Sequence, residues 1–143
     1  MHKIVFLAVA SATAMASTEP TPLAFDPKQL SGWWAESHST DLTSGFQNLR
    51  STMKVDPVAK RLEMQFDRKW KTELGETDRH GAKIIAATAR TLVIQYDNES
   101  RRKRNGQVVE WELSMVAPGV YRWRETEWPA GVVNTVVGIR CSE

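Results

Sequence analysis

The chain has 143 residues, of which 41% are hydrophobic and 25% charged, and its formal net charge is +2. That length suits one domain with a modest core. The near balance of charge gives no general case for a nucleic-acid or membrane-surface partner, and a single cysteine, Cys141, excludes an internal disulfide.

In chain order, residues 1–16 read as a secretory signal peptide. Lys3 supplies the positive n-region, Ile4 to Ala10 the apolar h-region, and Ala14-Met15-Ala16 the small-x-small cleavage site. The apolar run is too short to span a bilayer, so no transmembrane segment is expected after cleavage, and the mature chain is expected to be secreted or periplasmic. An uncleaved anchor or a buried core segment is the competing reading. Residues 17–27 include the polar, proline-containing stretch Ser17-Thr18-Glu19-Pro20-Thr21-Pro22 and read as a flexible arm. Residues 28–143 then form the folded domain.

From Leu30 onward the hydrophobic period is two. Between Arg61 and Leu74, Leu62, Met64, Phe66 and Trp70 share one face, while Arg61, Glu63, Gln65, Asp67, Lys69, Lys71 and Glu73 share the other. Such alternation marks a strand with one buried and one wet face. The remaining strands are predicted at 33–39, 46–55, 82–88, 91–97, 107–116, 119–128 and 132–141. Turn chemistry separates them: Asp56-Pro57, then Gly75 with Asp78-Arg79-His80-Gly81, a polar loop from Asn98 to Gly106, Pro118-Gly119, and Pro129-Ala130-Gly131. Connections this short permit antiparallel neighbours and leave no room for crossover helices. Eight such strands would bury their apolar face either as a two-sheet sandwich or as a closed barrel. Strand number and short turns favour an all-β, single eight-stranded antiparallel up-and-down barrel with no C-terminal helix, because closure removes the exposed edges.

The segment Phe25-Asp26-Pro27-Lys28-Gln29-Leu30-Ser31-Gly32-Trp33-Trp34-Ala35-Glu36 resembles the opening signature of lipocalins, in which an Asn-Phe-Asp-like arm leads into Gly-x-Trp and the first strand. The chain would be a minimal, divergent relative within the wider calycin group, which includes fatty-acid-binding proteins and avidins. The resemblance implies that Gly32 allows the tight turn into the strand, that Trp34 plugs the closed end, and that Arg140 covers that tryptophan.

With Leu62, Met64, Phe66 and Trp70 facing in, the neighbouring strands offer Leu92, Ile94 and Tyr96, then Val109, Trp111, Leu113 and Met115, then Tyr121 and Trp123, then Val133, Val137 and Ile139. Aromatics and methionines make an adaptable apolar lining. Glu36 and His38 share the parity of Trp34, so a polar pair is expected inside. Ligand contacts are therefore expected from Glu36, His38, Met64, Phe66, Tyr96, Trp111, Met115 and Trp123. The alternative is an interior filled by these same side chains. Arg122 and Arg124 fall on the opposite parity and face solvent, unless that strand slips by one residue and brings them inside.

The reading that results is an extracytoplasmic carrier of a small hydrophobic molecule, with no cofactor, metal site or assigned catalytic residue. No His-Cys cluster, Gly-x-Ser-x-Gly or phosphate loop is present in the sequence. One alternative is a surface interaction protein acting through Arg101, Arg102, Lys103 and Arg104 on an anionic partner. Another is a barrel isomerase using Glu36 and His38 as an acid–base pair. Asn98-Glu99-Ser100 matches the N-glycosylation acceptor, which in a eukaryotic secretory host would place a glycan on Asn98. Cys141 would either pair between chains or sit as a small apolar side chain in the last strand.

Overall fold

The computed structural model describes residues 21–38, 49–72 and 75–142, with Ser37 and His38 described by their backbone only. The signal-peptide reading of residues 1–16 lies outside the described residues. Eight strands alternate between buried and solvated side chains: β1 Trp33–His38, β2 Leu49–Asp56, β3 Arg61–Thr72, β4 Gly75–Ala87, β5 Thr91–Tyr96, β6 Trp111–Ala117, β7 Val120–Glu125 and β8 Val136–Arg140. Each pairs antiparallel with the next, and β1 pairs antiparallel with β8, so the sheet closes into an up-and-down barrel. Closure pairs the edges that an open meander would expose. The one helical element among the described residues is a 3₁₀ turn over Pro27–Leu30, capped by the Asp26 carboxylate, which accepts from the Lys28 amide at 3.0 Å.

That turn seals one end. Phe25 and Leu30 are buried beneath it, so ordered packing begins within the stretch expected to be a flexible arm. Trp34 is fully buried, and its indole N–H donates to the Leu30 carbonyl at 3.0 Å. The Arg140 guanidinium lies over the Trp34 ring at 5.0 Å and donates to the Gln29 carbonyl. Gly32, with φ of +88°, makes the turn that delivers β1 beneath this cover, a conformation glycine adopts without steric penalty.

Inward parity follows the sequence pattern on most strands. Leu62, Met64 and Phe66 on β3, Leu92 and Ile94 on β5, Leu113 and Met115 on β6, and Tyr121 and Trp123 on β7 are all buried. Arg122 and Arg124 therefore fall on the outer face, where they donate to the Asn134 and Trp128 carbonyls of the β7–β8 connection.

Two expectations are corrected. Strand β4 begins at Gly75, not at residue 82. Residues 75–81, read as a turn, pair with the distal part of β3, and a register shift between Gln65 and Trp70 accommodates them. In β8 the inward residues are Val136 and Gly138, while Val133 and Ile139 are exposed. The cause lies across the sheet, where Glu36, Gly138 and Tyr121 are register partners on β1, β8 and β7. The Tyr121 ring occupies the space a side chain at position 138 would fill, and a Cβ built there would lie 2.0 Å from Tyr121 Cζ.

Replacing Gly138 with alanine is therefore expected to destabilise the barrel by about 1–3 kcal/mol through overpacking. Chemical denaturation and the near-ultraviolet signal of Tyr121 check this. An unchanged midpoint would show that the ring does not rest on the β8 backbone.

Candidate ligand-binding cavity

Side chains fill the Trp34 end of the barrel. Toward the other end they part around a cavity of about 470 Å³. The strands reach this end through Glu36 on β1, the distal half of β3, the start of β4, the ends of β5 and β7, and the starts of β6 and β8. Lys71 and Asn98 stand exposed at its rim.

Of the residues singled out from sequence, Glu36, Met64, Phe66, Tyr96, Trp111 and Trp123 line this cavity. Met115 does not, because it is buried toward the closed end opposite Tyr121. The His38 side chain lies outside the described residues. Trp34, Gly32 and Arg140 belong to the closed end.

His80 was missed. It lines the cavity, although the run Asp78-Arg79-His80-Gly81 reads as a turn. Its parity with Ala82 and Ile84, both buried, was the available signal. The His80 ring meets Phe66, Trp70 and Tyr96 edge-on or tilted, each at 5.6 Å between centroids. Tyr96 in turn meets Trp123 at 6.4 Å, and Trp123 meets Tyr121 at 5.9 Å. An aromatic wall thus runs from the rim to the plugged end. Burial pulls the His80 pKa below its ordinary value and favours the neutral imidazole.

Glu36 is the polar group set among these rings. Its Oε1 accepts from the Tyr121 hydroxyl at 2.5 Å and from the Trp123 indole N–H at 3.2 Å. No donor among the described residues meets Oε2. Burial raises the Glu36 pKa above the ordinary 4.5, and the two hydrogen bonds pull against that rise without cancelling it. Burial, followed by the negative charge of Glu36, holds the Tyr121 and Tyr96 hydroxyls in their protonated forms.

The rim is built differently. Arg101 makes a two-point contact with Glu99 at 2.9 and 2.8 Å, reaches Glu125 of β7 at 2.8 Å, and lies 5.4 Å over the Trp111 ring. The Trp111 indole N–H donates to Glu99 at 3.3 Å. The hydrogen bond from Arg101 holds the Glu99 carboxyl below its ordinary range. Lys103 pairs with Glu110 at 2.6 Å. Two of the four cations in the basic loop are thus matched within the fold, whereas Arg102 and Arg104 remain exposed. Asn98, the glycosylation candidate, is exposed at the mouth.

Among the described residues no cluster of three or more His, Cys, Asp or Glu could hold a metal ion, and no helix is long and apolar enough to cross a membrane. Cys141 is a free, half-buried thiol just past β8, with its backbone N–H donating to the Trp33 carbonyl. No family model, curated protein or solved structure matches the chain.

The folded state binds the Glu36 proton more tightly than the unfolded chain does. Its stabilising contribution is present below pH 4.5 and is lost as pH rises through the raised folded value. Glu36→Gln should therefore gain stability relative to the parent chain as pH increases through that window, and the difference should then level off. Denaturation midpoints across pH measure this. A difference that stays constant from acid to neutral pH would show that Glu36 titrates normally.

Proposed function

We propose that the protein is a lipocalin-like, exported carrier that holds a small, largely apolar molecule inside its barrel. One observation carries this reading, namely the aromatic-walled cavity of about 470 Å³ at the end of the barrel opposite Trp34. Its size falls within the range of small-molecule sites, and eight strands enclose room for one such ligand. The Gly32-x-Trp34 opening, the Arg140 cover and the closed eight-strand topology agree with the lipocalin resemblance. The signal-peptide pattern of residues 1–16 supports export to an extracellular or periplasmic space.

Internal pairing of Arg101 and Lys103 favours the cavity over the basic loop as the site of action. Arg101 in this reading is a rim residue that holds Trp111 and Glu99 in place.

Nile red, a neutral apolar fluorophore, should bind saturably with a blue-shifted emission. Trp111→Ala should weaken that binding by about tenfold, since a buried aromatic wall carries a large share of contact area. Arg102→Ala together with Arg104→Ala should leave it unaltered. Failure of Nile red to bind, or equal binding by the Trp111 variant, would contradict the carrier reading.

A further inference from the structure

We infer that the molecule held in this cavity is a protonated amine with an apolar or aromatic body, its ammonium group seated on Glu36 and enclosed by the rings of Trp123, Tyr96 and His80. The inference rests on the carrier reading and names the ligand class for the same cavity.

Both fixed donors, the Tyr121 hydroxyl and the Trp123 indole, converge on the same oxygen of Glu36, Oε1. Oε2 meets no donor among the described residues, and Glu36 lines the cavity. A carboxylate oxygen that faces an apolar-walled cavity lacks the solvation that bulk water would give it, so a donor placed there is favoured. An ammonium carries three donors and no acceptor, so it supplies both the missing hydrogen bond and the missing countercharge. It also suits the walls. The electron-rich faces of tryptophan and tyrosine attract a cation, and a desolvated site strengthens that attraction.

The cavity's other charges point the same way. A ligand carboxylate would lie against Glu36, and two like charges in a site of low dielectric disfavour each other. Two arginines of β7, Arg122 and Arg124, lie on the outer face and bind backbone carbonyls there. The cations lining the cavity stand at its rim. Arg101 is taken by Glu99 and Glu125, and Lys71 is exposed. His80, which faces the same space, is held toward its neutral form by burial, so it presents a ring and not a competing positive charge.

The test compares three probes with one apolar body: phenylbutylamine, phenylbutanol and phenylbutanoate, titrated calorimetrically into the protein at neutral pH. The amine should bind at least about tenfold more tightly than the alcohol, and the carboxylate should bind most weakly. In Glu36→Gln, which preserves shape and an acceptor for Tyr121 and Trp123, the preference for amine over alcohol should fall to within about threefold. Should that variant not fold, the ranking of the three probes on the parent chain decides the matter alone. Equal affinities, a carboxylate that binds best, or an amine preference that survives in Glu36→Gln would each overturn the inference. In those cases Nile red binding would still stand and the carrier reading with it. Binding by none of the three probes, nor by Nile red, would remove both.

Discussion

One row of residues across three strands carries the structure. Glu36 on β1, Gly138 on β8 and Tyr121 on β7 are register partners, and the glycine gives up its side chain so that the tyrosine ring can lie over the sheet and offer its hydroxyl to the glutamate. The row spans the seam between β1 and β8, the pairing that turns a meander into a barrel. It is also a boundary. On one side the Tyr121 ring packs on Trp34 at 5.0 Å between centroids, and the interior is filled. On the other side the side chains part, and the Glu36 carboxyl faces the cavity.

The two ends of the barrel follow from different physics. The closed end is a hydrophobic core with a cation stacked on its plug, and its stability comes from apolar area removed from water. At the open end two of the rings are tied down at their edges. Trp111 is held between Arg101, Glu99 and Trp128, while Trp123 is held by Glu36. Indole N–H groups that find acceptors at the periphery can leave their apolar faces toward an unfilled space.

Much of this was legible in the sequence. Alternation along Leu62, Met64 and Phe66 revealed the inward face of β3, and the same period sorted β5, β6 and β7, so that strand number, order and closure followed from turn chemistry and edge removal. The parts that were not legible share a cause: each depended on a partner across the sheet. Val133, Val137 and Ile139 form a persuasive apolar alternation, yet β8 faces inward through Val136 and Gly138 because Tyr121 claims the glycine's space. His80 sits in a run of turn-forming residues, but the paired length of β3 draws that run into β4. Glu36 was placed inside by parity alone. Its donors on β7 are 85 and 87 residues away in sequence, beyond the reach of any local pattern. The basic run from Arg101 to Arg104 looked like a single charged patch, and only folding showed that alternate members have acidic partners.

The central claim is that the Tyr121 ring lies over Gly138 and reaches Glu36 across the seam. Nuclear Overhauser contacts in the folded protein test it most directly. Strong contacts are expected from the Tyr121 ring protons to both Gly138 α-protons, together with a hydroxyl proton on Tyr121 that exchanges slowly enough to be seen. A Tyr121 ring with contacts only to its own and neighbouring strand side chains, and none to the Gly138 backbone, would contradict it.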